Sequence, residues 1–181
     1  DEAGRGPLAG PVVAAALVLP EGTHIEGAGD SKKLSGNTRE ALYKSIISSA
    51  LSFGVGAASA HEIDQTNILR ATTVAMQRAL EGLAIDECEV VVDGLPVKGL
   101  GIKHDAVVGG DAIIHSIGCA SIIAKVTRDR LMVRLSERYP EYGWERNKGY
   151  GTAEHRNAIE KHGLTPHHRL TFGGLQYDLE L

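Results

Sequence analysis

This sequence is short of cysteine, of long apolar runs and of net positive charge. Only Cys88 and Cys119 occur among its 181 residues. Two thiols cannot form a disulfide framework or a cysteine-rich zinc site, so a reducing, cytoplasmic setting is expected. The longest apolar stretch, Pro11 to Leu19, falls far below the roughly 20 residues that span a bilayer. No basic-then-apolar signal segment opens the chain, and no membrane association is expected. No internal repeat or low-complexity segment appears. The formal net charge is −4, which argues against a protein that holds nucleic acid by bulk positive charge.

What is present is an ordinary globular composition, 43% hydrophobic and 23% charged. That balance can bury a real core and suits one domain. The charge is unevenly spread. Residues 1–124 carry a balance of −6, residues 125–170 a balance of +4, and the last eleven residues −2. One reading is a mixed surface whose halves differ by chance. The other is an acidic catalytic half beside a basic half that grips a polyanion.

Residues 1–7 (DEAGRGP) form a turn, since glycine and proline prevent a helix. Pro11 to Leu19 reads as a buried strand, closed by Pro20 and Gly22. The spacing predicts a helix over 38–50, a strand over 52–59 and a helix over 62–83 with a break near Asn67. The apolar stripe of that last helix would be Ile63, Leu69, Thr73, Met76 and Leu80. Short strands are expected over 89–94 and 100–108. A long helix follows from Asp111 to about Arg138, burying Ile113, Ile117, Ala120, Ile123, Ala124 and Leu131. A last helix is expected over 153–162, and the fold class is α/β.

Four carboxylates occupy strand ends or helix starts. Asp1 and Glu2 precede the glycine turn, Asp93 ends an apolar strand, and Asp111 follows Gly109-Gly110 at a helix start. Such positions gather at one edge of an α/β sheet, where acids repel one another unless cations neutralise them. Hard Mg²⁺ or Mn²⁺ ions suit that donor set. Each acid also has a plainer use. Asp111 makes a good helix N-cap, Asp93-Gly94 is a common turn dipeptide, and Asp1-Glu2 could be a solvated terminus. His155, His167 and His168 invite a zinc reading, but no ligand spacing supports it.

The blocks DEAGRGPLAGPVVAAA at 1–16, DSKKLS at 30–35, Ile63-Asp64 with Asn67-Ile68-Leu69, Val92-Asp93-Gly94 and Gly110-Asp111 resemble those of bacterial ribonuclease HII. So do ASIIAKVTRD at 120–129, KGYGT at 148–152, His155, His168-Arg169 and Phe172-Gly173, all in family order. The resemblance implies an RNase H-like fold, a mixed β-sheet flanked by helices with a helical C-terminal part. It divides the chain into a catalytic core, 1–138, and a segment, 139–181, that contributes to substrate binding. It implies an endonuclease acting on the RNA strand of RNA–DNA hybrids and on single ribonucleotides in duplex DNA. The implied metal ligands and catalytic groups are Asp1, Glu2, Asp93 and Asp111, with two Mn²⁺ or Mg²⁺ ions in the substrate complex.

By the same resemblance Gly4, Arg5 and Gly6 contact the ribose 2′-hydroxyl, and Tyr150 packs on the next deoxyribose. Lys32, Lys33, Lys125, Lys148 and Arg169 are candidate phosphate contacts, Lys32 and Lys33 foremost. Asp129 is a structural position. The chain departs from the family in three places. It starts at Asp1, where the family has residues completing the first strand. It has Gly109 where lysine is common, and Thr171 where serine is common. A monomer is expected. The rival readings are another RNase H-like nuclease acting on DNA, and a hybrid-binding module without turnover.

Overall fold

The computed structural model describes residues 1–29, 31, 34–84 and 88–173. Strands β1 (Glu2–Ala3), β2 (Val12–Val18) and β3 (Ser52–Ala58) form an antiparallel sheet with β2 in the middle. Glu2 faces Ala14 across one side of β2, and Ala58 faces Val12 across the other. The first four residues of β2 are buried, as a central strand with covered faces requires. Strands β4 (Val91–Asp93) and β5 (Asp105–Val107) form a parallel pair, with Asp93 opposite Val107. The strand directions are thus mixed, but hydrogen bonding divides the strands into two groups. The expected strand over 100–108 is reduced to its last part. Gly99 and Gly101 both have positive φ, which turns the chain before β5 begins.

Helix α1 (Gly36–Ser49) starts where Ser35 accepts a hydrogen bond from the Thr38 N–H at 3.1 Å. The expected helix over 62–83 is two helices, α2 (Ala60–Gln65) and α3 (Ile68–Glu81). Asn67 separates them and caps α3, its Oδ1 accepting from the Arg70 N–H at 2.9 Å.

The buried face of α3 is rotated from the expected stripe. Ala71, Thr72, Ala75, Met76 and Ala79 are buried, while Leu69 is 63% exposed. The cause lies in β3. A Cβ on Gly54 would sit 2.0 Å from the Ala79 carbonyl oxygen, and one on Gly56 2.1 Å from that of Ala75. The glycine strand and the alanine face let the helix approach closely, so small residues face the sheet and the leucine faces solvent.

The long C-terminal helix is also divided. Helix α4 (Gly110–Ile113) is separated from α5 (His115–Arg138) by extended Ile114. Ile117, Ala120, Ile123 and Ala124 are buried as the periodicity predicts. Ile113, before the break, is out of phase and 71% exposed, and Met132 rather than Leu131 is fully buried. A 3-10 turn at Pro140–Tyr142 leads to α6 (Trp144–Asn147) and α7 (Ala153–His162). Leu8 and Ala9 pack with Met132, Tyr142, Trp144, Ala158 and Ile159 in one core cluster. The chain's first loop and its C-terminal segment therefore share a hydrophobic core. Among the described residues no helix is long and apolar enough to cross a membrane.

Candidate active site

Asp1 immediately precedes β1, Asp93 is the last residue of β4, and Asp111 lies in the first turn of α4. One carboxylate oxygen from each lies within 4.8 Å of the others. The strand ends and the helix start bring together residues separated by up to 110 positions. Asp111 is not the helix cap. Gly109, with φ 70°, occupies that position, and no side chain caps the helix. Asp93 does more than end a turn. Its Oδ1 accepts from the Gly110 N–H at 2.7 Å, which orients the carboxylate and ties β4 to α4. Asp1 Oδ1 accepts from the Glu2 N–H at 2.5 Å.

Three carboxylates this close repel by about 1–3 kcal/mol per pair at effective dielectric constants between 20 and 80. Among the described residues no lysine, arginine or histidine pairs with them. All three are half-buried. A hard divalent cation satisfies such an all-oxygen donor set and relieves its repulsion. The residues present therefore fit a divalent metal.

The fourth expected ligand, Glu2, is outside this cluster. Its Oε1 accepts from Arg5 Nη1 at 3.2 Å.

Gly4 is buried and has φ +92°. A Cβ there would lie 2.0 Å from Arg128 Nε, so only glycine fits. Arg5 and Gly6 are exposed. Tyr150, 144 positions away in sequence, is 47% exposed, and its Cε1 would lie 3.8 Å from a Cβ on Gly6. The structure thus sets the tyrosine ring beside the glycine turn.

The candidate phosphate contacts fare unevenly. Lys32 and Lys33 lie outside the described residues. Lys125 Nζ is 2.7 Å from Asp129 Oδ1, one turn along α5. Lys148 has φ 51°, and its Nζ donates to the Glu145 carbonyl. Burial lowers the pKa of its ammonium. Arg169 is corrected outright. It is 0% exposed, and its guanidinium donates to the carbonyls of Gly4, Arg5 and Gly10. No phosphate can reach it.

Two further features escape the reading of the sequence. Arg128, 1% exposed, donates to the carbonyls of Ala9, Pro11 and Lys148. The available signal was its phase, since Arg128 continues the buried stripe of Ile117, Ser121 and Ala124 on α5. The second feature is a neutral histidine pair. His155 Nδ1 faces the Tyr150 carbonyl oxygen at 2.9 Å and so must carry its proton there. Its Nε2 then accepts from Trp144 Nε1 at 3.0 Å and from His168 Nε2 at 3.1 Å. His168 Nδ1 accepts from the Thr165 N–H at 2.9 Å. Burial, aided by the neighbouring His155, holds the His168 pKa down at about 4. His155 and His168 thus belong to a packing and hydrogen-bond network around Tyr142 and Trp144, and the His167 ring packs edge-on against Trp144.

An α/β fold with acids gathered at strand ends, an oxygen-only donor set and a neighbouring glycine turn defines a metal-dependent nuclease of the RNase H-like class. The Ribonuclease HII family model matches residues 1–174, and the chain belongs to that family. It is accordingly a ribonuclease H, an endonuclease that hydrolyses RNA in RNA–DNA hybrids. A protein of Burkholderia thailandensis named Ribonuclease HII is 50% identical over 181 residues, covering 100% of this chain and 85% of that protein. One of Desulfitobacterium hafniense with the same name is 49% identical, covering 100% of this chain and 70% of its own. Ribonuclease H2 from Pyrococcus horikoshii superimposes with a TM-score of 0.79 at 30% identity, over 95% of this chain and 91% of that one. The Bst-RNase HIII structure in complex with Mn²⁺ shares the fold, with a TM-score of 0.76 at 20% identity over 96% of this chain and 65% of its own.

Proposed function

We propose that the chain cuts the RNA strand of hybrids and nicks duplex DNA on the 5′ side of an embedded ribonucleotide, leaving 3′-hydroxyl and 5′-phosphate ends. The observation that carries this reading is the convergence of Asp1, Asp93 and Asp111 beside a glycine turn flanked by Tyr150. In the hydrolysis a water oxygen bonds to phosphorus and the bond from phosphorus to the 3′ oxygen breaks. A proton from the water ends on the departing oxygen. Asp1, Asp93 and Asp111 would hold Mg²⁺ or Mn²⁺, with Glu2 joining once it releases Arg5. Two such ions supply activation of the attacking water and stabilisation of the leaving oxygen.

The remaining work belongs to the chain. The carboxylates are fixed by β4, α4 and the start of β1, so little reorganisation is needed. The Gly4-Arg5-Gly6 turn offers backbone groups to the 2′-hydroxyl, the atom that distinguishes ribose from deoxyribose. Tyr150 packs on the adjacent sugar and gives the C-terminal segment, 139–181, a share in substrate binding. Lys125, Lys148 and Arg5 supply positive potential near the backbone, with Lys32 and Lys33. The enzyme acts as a monomer in the cytoplasm.

The test is a duplex carrying one ribonucleotide, incubated with protein and Mg²⁺ or Mn²⁺ beside an all-DNA control. Nicking only at the 5′ side of the ribonucleotide is expected. Cutting of both duplexes would instead make the chain a DNA nuclease. Binding without cutting would make it a binding module.

A further inference from the structure

Burying a guanidinium is costly unless every N–H finds an acceptor, and acids usually provide them. Two arginines here are buried without one. Among the described residues neither Arg169 nor Arg128 forms an ion pair. Among the described residues every hydrogen bond of their guanidinium groups goes to a backbone carbonyl, and nearly all of those carbonyls belong to residues 4–11. Arg169 Nη2 donates to Gly4 O at 2.5 Å and to Gly10 O at 2.8 Å. Its Nη1 donates to Arg5 O at 2.9 Å, and its Nε to Gly10 O at 3.0 Å. Arg128 donates from Nη2 to Ala9 O at 3.1 Å and from Nε to Pro11 O at 2.9 Å. Its Nη1 reaches Lys148 O at 3.0 Å, two residues before Tyr150.

The consequence follows from peptide geometry. The described chain has no cis peptide, and in a trans peptide the C=O of one residue and the N–H of the next point in opposite directions. Arg169 draws the carbonyls of Gly4 and Arg5 inward. The N–H groups of Arg5 and Gly6 are thereby turned outward, at two exposed residues. Neither N–H has an acceptor among the described residues. The ring of Tyr150 lies beside this turn, its Cε1 3.8 Å from where a Cβ on Gly6 would stand.

We infer that Arg169 and Arg128 are positioning residues for ribose selection. Their buried guanidinium forks turn the backbone of the glycine turn inside out, so that the Arg5 and Gly6 amides face the sugar as a fixed pair of donors. This rests on the proposed ribonucleotide specificity. A lysine in place of Arg169 keeps the charge but loses the planar fork that reaches three carbonyls at once. Arg169→Lys therefore separates geometry from charge.

The experiment measures dissociation constants of the full chain in Ca²⁺, which supports binding without rapid turnover, for a single-ribonucleotide duplex and its all-DNA counterpart. Thermal melting and Mn²⁺ titration accompany it as controls on fold and metal site. In Arg169→Lys the ribose preference should fall at least about tenfold, while all-DNA affinity and Mn²⁺ affinity change less than about twofold. An unchanged preference, or equal weakening on both duplexes, overturns the inference. If the unaltered protein shows no preference at all, the specificity reading fails instead. A second measurement needs no variant. Amide hydrogen exchange at Arg5 and Gly6 should be fast in the free protein and slowed at least about tenfold by the ribonucleotide duplex, but not by the all-DNA duplex. Slow exchange in the free protein, or equal protection by both duplexes, overturns the inference.

Discussion

The carboxylate cluster and the arginine-pinned turn are neighbours, and each concentrates charge of one sign. They solve the resulting problem in opposite ways. Asp1, Asp93 and Asp111 stay half-exposed, and among the described residues no lysine, arginine or histidine pairs with them. That leaves a debt of repulsion which a metal relieves. Arg128 and Arg169 are sealed and satisfied by neutral carbonyls. The first region is built to take something from solution, and the second to need nothing. The difference separates a reactive site from a scaffold that orients one.

The largest effect should come from breaking the first region. Asp93→Asn or Asp111→Asn should lower turnover by at least about a thousandfold, roughly 4 kcal/mol of barrier. The fold should survive, because one source of repulsion is gone. Steady-state cleavage of a hybrid, beside a thermal melt, checks both halves of this statement. A break in the second region should act on stability. Gly4→Ala places a Cβ on Arg128 at a positive φ, and should cost about 3–5 kcal/mol by overpacking and strain together, read from urea midpoints.

The histidine network beneath Tyr150 sharpens the contrast through pH. Burial holds His168 at about 4, below the ordinary 6.5, so the unfolded chain takes the proton first. Its contribution is whole above pH 6.5 and is lost as pH falls from 6.5 to about 4, by up to about 3 kcal/mol. Burial lowers His155 in the same direction. Urea midpoints between pH 7 and 4.5 should fall less steeply in His168→Asn than in the unaltered protein. The smallest effect concerns Tyr150→Ala. It should weaken cleavage at a single-ribonucleotide junction about tenfold, roughly the worth of one aromatic contact. Long hybrids should be affected less, and equal losses on both substrates would remove the tyrosine from junction recognition.

The two regions also differ in how much the sequence discloses. Continuous apolar character places β2, and the residues that end β4 and open α4 mark Asp93 and Asp111 as acids at rigid positions. Glu2 shares its motif with Asp1, yet its side chain pairs with Arg5 instead of joining the three aspartates. Leu69 and Ile113 obey helical periodicity in the sequence yet face solvent. The first is displaced because Gly54 and Gly56 admit only a small-residue face, the second because the helix breaks at Ile114. Arg169 reads as a surface cation by residue type. Only the tertiary structure shows that the acceptors it needs are backbone carbonyls more than 150 positions earlier, which no local pattern encodes.

If Asp1, Asp93 and Asp111 form a divalent metal site, their mutual repulsion is the driving force for loading it. Calorimetric titration of Mn²⁺ into the unaltered protein and into Asp111→Asn tests it most directly, with melting temperatures taken without metal. Saturable binding that is lost in the variant, together with an equal or higher metal-free melting temperature for the variant, is the predicted result. Equal Mn²⁺ binding by both proteins would mean that the three carboxylates do not hold the metal.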